Sequence, residues 1–119
     1  MKRLTSVFLN SILHTKVYDE FDESIGKLVD IYVTAEEGYP GVIGYMLKKD
    51  GEIFHYEFRS LFLFQEANGK VLIKVKGVKE IIPRAYSYLL SKNLLGKPIV
   101  DITGKKVVRV NDLQLADIA

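Results

Sequence analysis

A stretch of this chain occurs twice. Sliding the sequence along itself by 82 positions lays Leu13-His14-Thr15-Lys16-Val17-Tyr18-Asp19 over Leu95-Gly96-Lys97-Pro98-Ile99-Val100-Asp101. The same shift lays Ile25-Gly26-Lys27-Leu28-Val29-Asp30-Ile31-Tyr32-Val33 over Val107-Val108-Arg109-Val110-Asn111-Asp112-Leu113-Gln114-Leu115, with no gap needed. Leu13/Leu95, Asp19/Asp101 and Asp30/Asp112 are identical; Val17/Ile99, Ile25/Val107, Lys27/Arg109, Leu28/Val110, Ile31/Leu113 and Val33/Leu115 keep their character. The upstream pairs Phe8/Leu90 and Ile12/Leu94 extend the match. A chain of 119 residues holds about one domain. It therefore has room for one complete unit and only the opening of its duplicate.

The units read as strand. Lys16–Asp19, Ile25–Thr34, Val42–Lys49, Ile53–Phe58, Leu61–Phe64 and Val71–Val75 are rich in β-branched and aromatic residues and are separated by turn residues. Asp50-Gly51 and Asn68-Gly69 predict two-residue hairpins, because both central positions of a type I′ turn need positive φ. Tyr39-Pro40-Gly41 marks a third turn. Many short strands with tight turns predict a small antiparallel barrel, in which closure removes the edges, and Gly44 inside an apolar strand predicts a bend at a barrel corner. In both copies the inward alternation slips by one residue, at Val29-Asp30 and at Asn111-Asp112. That is the trace of a β-bulge, and Asp suits it because its short side chain can accept from nearby backbone amides. From Arg84 to Leu95 the rhythm changes: Tyr86, Leu89, Leu90, Asn93 and Leu94 have helical spacing, Pro83 precedes them and Gly96 stands at the C-terminal cap, predicting a short linking helix.

Cysteine is absent, which excludes disulfides, thiolate metal sites and a cysteine nucleophile. The longest apolar run, Leu61-Phe62-Leu63-Phe64, is far short of the roughly 20 residues that span a bilayer, and the N-terminus lacks the pattern of a cleaved leader. The expectation is a soluble cytoplasmic protein. The net charge of +2 is uneven: residues 1–75 carry 9 basic and 11 acidic side chains, and residues 76–119 carry 8 and 4. That basic C-terminal third is sparser than the stripe of a dedicated nucleic-acid binder.

No motif for chemistry emerges. Gly38, Gly41 and Gly44 flank Pro40 and lead into a strand, not into the helix a phosphate loop requires. His14 and His55 fit no metal spacing, and His55, alternating with Phe54 and Tyr56, is expected to face outward. The acidic run Asp19-Glu20-Phe21-Asp22-Glu23 lacks calcium-loop spacing and reads as a surface turn. Ser24 and Ser60 have no activating partner. Tyr45, Phe54, Tyr56, Phe58, Phe62 and Phe64 could stack bases, but only Arg59 lies among them in sequence, so they read as core. Lys105-Lys106-Val107-Val108-Arg109 reads as a solubilised edge. No catalytic, cofactor-binding or metal-binding residue is assigned, and no cofactor is expected.

The opening Leu4-Thr5-Ser6-Val7-Phe8-Leu9, then Val17-Tyr18-Asp19, then Ile25-Gly26-Lys27-Leu28-Val29-Asp30-Ile31-Tyr32-Val33, resembles the PRC-barrel domain family. That family includes the cytoplasmic domain of the photosynthetic reaction-centre H subunit and the C-terminal domain of the ribosome-maturation factor RimM. The second copy, Leu95 through Ala116, is similar to the N-terminal region of bacterial proteins that join PRC-like barrels to an MgtE-type magnesium-transporter intracellular domain and a CBS pair. The resemblance implies a non-enzymatic cytoplasmic interaction or adaptor module, regulatory in magnesium transport or homeostasis. The alternative is an RNA- or ribosome-associated assembly module.

The expected architecture is thus mainly β: a small antiparallel PRC-like β-barrel over 4–76, a linker with a short helix over 77–97, and the first half of a second PRC-like unit over 98–119. The half unit has apolar faces without the strands that would cover them. Ile99, Val107, Val110, Leu113 and Leu115 are expected to meet a protein partner or a second copy of the chain, as in an isologous dimer, with a membrane transporter or CBS-domain protein as the implied partner and nucleic acid disfavoured.

Overall fold

Alternating apolar residues and tight turns produce the expected strands. The computed structural model describes residues 1–34, 41–82, 87–100 and 107–116, with the backbone only at residues 60, 99, 100, 107 and 108. The strands are β1 (Lys2–Leu4), β2 (Ser6–Phe8), β3 (Lys16–Tyr18), β4 (Ser24–Thr34), β5 (Gly41–Lys49), β6 (Glu52–Glu57), β7 (Ser60–Gln65), β8 (Val71–Lys76), β9 (Tyr88–Leu89), β10 (Pro98–Val100), β11 (Val107–Arg109) and β12 (Gln114–Ala116). One helical turn, α1 (Leu9–Ile12), follows β2, and a π turn, Leu90–Leu94, follows β9. The Tyr39-Pro40 turn, Pro83 with the start of the expected helix, Asp101, Lys105-Lys106 and the last three residues lie outside the described residues.

The main sheet runs β1-β7-β8-β3-β4-β5-β6, with β9 on β4. It is mainly β and barrel-like, as expected, but not closed: its ends are β1 and β6. Nor is it wholly antiparallel, since β3 and β8 run parallel through Val17↔Ile73 and Tyr18↔Lys74. The outer edge of β6 is covered instead by the chain leaving β8, where Glu57 N donates to Lys79 O at 2.7 Å and Ile81 N to His55 O at 3.1 Å. Covering by a passing segment is one way a sheet edge is blunted without closure. Part of the expected linker over 77–97 is therefore a piece of the sheet.

Two turns differ in kind. Asp50 and Gly51 both have positive φ, 52° and 80°, as the I′ turn demands. At Asn68-Gly69 only the glycine does. Gly69 N donates to Glu66 O and Glu66 N to Lys70 O, both at 2.9 Å, which is the three-residue loop with a bulge, not the two-residue hairpin. The bulge expected in β4 is present: the register steps from Leu28↔Leu47 to Asp30↔Met46, leaving Val29 unpaired. Gly44 does not mark a barrel corner. A Cβ there would lie 2.6 Å from both Ile81 Cδ1 and Tyr56 O, so glycine is required by close approach of a side chain and a neighbouring strand.

The helix expected over Arg84–Leu95 is shorter among the described residues. Tyr88-Leu89 is strand, and the turn that follows closes with Leu95 N donating to Leu90 O at 2.9 Å, one residue wider than α1, where Leu13 N donates to Leu9 O at 3.0 Å. The ungapped repeat is corrected accordingly. Leu13 and Leu95 are equivalent C-caps, with φ, ψ of −61°, 137° and −64°, 133°, but the N-caps are Phe8 and Leu89, one position closer. The second copy carries one inserted residue inside its turn, the usual origin of a π turn. Phe8 thus corresponds to Leu89, and Leu9, fully buried, to buried Leu90.

The core is shared. Leu9, Val17, Leu28, Leu47 and Ile73 are its most buried side chains, Val7, Ile12 and Leu90 join them, and Leu94, Leu95, Leu113 and Leu115 pack against it. Gly44→Ala is expected to lower stability by about 1–3 kcal/mol, because Tyr56 O belongs to a paired strand that cannot give way. Urea unfolding measures this; a midpoint equal to the parent's would show that the approach of Ile81 and β6 is not tight.

Candidate functional site

Each copy presents an aspartate to the helical turn of the other, Asp30 from the bulge in β4 and Asp112 from the segment between β11 and β12. Asp30, 3% exposed, accepts through Oδ1 from Ile31 N at 2.8 Å and Ser91 N at 2.7 Å, and through Oδ2 from Lys92 N at 2.9 Å. Asp112 accepts through Oδ1 from Leu113 N at 2.8 Å and Asn10 N at 3.0 Å. Asn10 answers by donating Nδ2 to Asn111 O at 2.8 Å. The carboxylates do what the sequence predicts, bonding the next amide. They also satisfy the free amides at the start of a distant turn, where the backbone has no acceptor of its own.

Within each copy the backbone makes the same pair of bonds. His14 N donates to Leu28 O and Leu28 N to Thr15 O at 2.6 and 2.9 Å; Gly96 N donates to Val110 O and Val110 N to Lys97 O at 2.7 and 3.1 Å. His14 holds φ 66° where its counterpart Gly96 holds 76°. Strand pairing, by contrast, is exchanged between the copies: β2 pairs with β12 through Val7↔Leu115, and β9 pairs with β4 through Tyr32↔Leu89. The two copies interlock by reciprocal contacts, a pseudo-two-fold arrangement within one chain.

Of the residues expected to meet a partner, Leu113 and Leu115 already pack on the first unit and Val110 is half-buried. Ile99 and Val107 are placed by their backbone in the β10–β11 ladder, opposite Val108 and Val100. His55 is not simply outward: it is half-buried, and its Nδ1 shares a 2.7 Å hydrogen bond with the Tyr32 hydroxyl. Burial and then the Asp30 charge raise the Tyr32 pKa. Tyr45 and Tyr56 meet with ring centroids 5.8 Å apart, and burial, then Tyr56, pushes Tyr45 up to about 12. The aromatics on β7 have a cation nearby that the linear order hid, Arg3 lying 4.9 Å over the Phe62 ring. A shallow cleft of about 340 Å³ lies among Val42, Ile43, Glu57, Phe58, Ile81 and Ile82. Among the described residues no group of three His, Asp or Glu side chains is gathered as a metal ion would require. No described helix is long and apolar enough to cross a membrane.

The order of the opening strand, helical turn and bulged β4 is matched by a family model for the PRC-barrel domain over residues 4–82. The chain belongs to the PRC-barrel family. No curated protein and no solved structure matches it. The comparisons lend no support to the MgtE-associated relationship drawn from the second copy, which lies beyond the matched residues. PRC-barrel domains are generally non-catalytic interaction or adaptor modules. In this one the exchanged contacts between the two copies join residues inside the matched region to residues outside it.

Asp30→Ala is expected to cost about 2–3 kcal/mol, since it strands buried amides, and Asp112→Ala about 1 kcal/mol at its exposed cap. Chemical denaturation of both variants checks the order; equal small losses would mean that neither carboxylate holds the copies together. Tyr45 adds a pH dependence with a definite sign. Its folded pKa lies above the ordinary value of 10.0. Its contribution is therefore complete below pH 10 and is lost as pH rises from 10 towards about 12. Tyr45→Phe should flatten that decline in a pH series of thermal melts.

Proposed function

We propose that this PRC-barrel protein is a non-enzymatic interaction module of the cytoplasm, and that it associates with a second copy of itself through the opening half of its second unit. The observation carrying this reading is a difference between equivalent strands. In the first unit β3 is flanked by β8 and β4 by β5. In the second, β10 and β11 pair only with each other among the described residues. A lone two-stranded ribbon is marginal, and its unpaired backbone groups are a template for another strand. Ile99, Val107 and Val110 are the residues of this ribbon and its exit, and an isologous contact between two chains would pair both at once.

A role in magnesium transport or homeostasis, with a transporter or CBS-domain partner, is a narrower form of the reading and rests on the resemblance of residues 95–116 alone. An RNA- or ribosome-associated role rests on the charge of residues 76–119 and calls for binding that falls steeply with salt.

Light scattering across a concentration series, combined with hydrogen exchange, tests the proposal. The expected result is a dimer whose β10 and β11 amides exchange more slowly as concentration rises. A monomer at every concentration, with these amides exchanging freely, overturns it.

A further inference from the structure

Three lysines stand side by side on the middle of the sheet. Val17, Leu28 and Leu47 point into the core, fully or almost fully buried. Their neighbours Lys16, Lys27 and Lys48 therefore point to the other face, and the register sets Lys16 opposite Lys27 and Lys27 opposite Lys48. All three are exposed, and among the described residues none of their ammonium groups takes part in an ion pair or hydrogen bond; the described ion pairs are Lys74 with Asp22 and Lys79 with Glu57. Like charges directly opposite on neighbouring strands destabilise a sheet. The common reason for such lysines, keeping an edge strand from pairing, does not apply, because β3, β4 and β5 are all interior strands.

The row has apolar ends. Beyond Lys48 lies Ile53, 44% exposed, in register with it. Beyond Lys16 lies Leu72, half-buried, which precedes the Val17↔Ile73 pair. Neighbouring strands are about 4.8 Å apart, which sets the pitch of the charges. On a helix, residues three or four apart have Cβ atoms about 5–6 Å apart, so a carboxylate every helical turn follows the lysines one to one.

We propose that this row is a docking surface for an acidic helical segment of a partner protein, bearing Asp or Glu at i, i+4 and i+8 between apolar residues that rest on Leu72 and Ile53. A second copy of this chain is the poorer occupant, since its acidic turn is already engaged. Asp19 accepts from the Phe21 and Glu23 amides, Glu20 from Gly77 N, and Asp22 from Lys74. Single-stranded nucleic acid wants aromatic platforms between its cations. On this face Tyr18 lies beside Lys16, and Phe64 lies beyond Leu72, in register with Arg3, so the aromatics stand at one end of the row and none lies between the lysines.

The test is fluorescence anisotropy with a labelled helical peptide of about 18 residues that carries Glu at the stated spacing and Leu at both ends, a length that holds a helix. Oligodeoxythymidylate and phosphatidylserine vesicles serve as rival probes. The expected result is binding to the peptide that weakens as salt rises and falls by about tenfold or more in the triple variant Lys16→Gln, Lys27→Gln, Lys48→Gln. Circular dichroism confirms that the variant is folded. No peptide binding at low salt, equal binding by parent and variant, or tighter lysine-dependent binding of the oligonucleotide or vesicles overturns the proposal. This surface is separate from β10 and β11, so the titration and the light-scattering experiment can fail independently.

Discussion

Two carboxylates hold this molecule's two copies in place, each reaching from one copy into the backbone of the other, Asp30 from a strand and Asp112 from the segment between two strands. Asp30 turns out of β4 at a bulge and meets the amides of Ser91 and Lys92, while Asp112 meets Asn10. A free amide at the start of a helical turn must find an acceptor, and a buried one left without a partner costs more than an average hydrogen bond contributes. Once Asp30 is seated, β9 is drawn onto β4 and Leu90 enters the core. Once Asp112 is seated, β12 lies on β2 and Leu115 covers Val7. The shared core follows from these placements. Without it, the three short strands β10, β11 and β12 have too little apolar burial to stand alone.

Much of this was legible because the constraints were local. Strand positions in the first unit follow from period-two alternation and from turn residues, and the β4 bulge was visible as a slip in that alternation. The Asp30/Asp112 identity marked two equivalent carboxylates, each bonding the following amide at 2.8 Å, although the second bulge expected at Asn111-Asp112 falls between β11 and β12, outside the described ladders. Its second partner, in the other copy, was not legible, because no residue pattern states which distant turn a carboxylate will meet. Barrel closure failed for a related reason. Strand propensity says that edges need cover but not what covers them, and at β6 the cover is Lys79 to Ile81, a segment with little strand character of its own. The charge pattern of the outer face was hidden as well. Lys16, Lys27 and Lys48 are far apart in sequence, and only the register of β3, β4 and β5 makes them neighbours.

The inserted residue in the second helical turn shows how the duplication absorbs change without losing the interlock. Both C-caps keep the same extended backbone, and Leu13 and Leu95 keep their places beside the core. Both N-caps keep theirs as well, so the extra residue must be taken up between them, and the turn widens from an i−4 to an i−5 closure. Widening alters what the turn offers to the facing aspartate. The narrow turn gives Asp112 one amide, that of Asn10, and adds a side-chain bond from the same residue to Asn111 O. The wide turn gives Asp30 two successive amides, one on each carboxylate oxygen, in a buried setting. The two carboxylate clamps are therefore unequal, one buried and one exposed. The buried clamp fastens β9 and the π turn to β4, and the exposed clamp, together with the 2.7 Å bond from Leu9 N to Leu113 O and the β2–β12 pairing, fastens the opening turn to β12. The second copy is thus fixed at both ends, through β9 and the π turn on β4 and through β12 on β2, while β10 and β11, among the described residues, pair only with each other and are tied to what flanks them by the Gly96 and Val110 backbone bonds and by Arg109 Nη1 on Gly96 O.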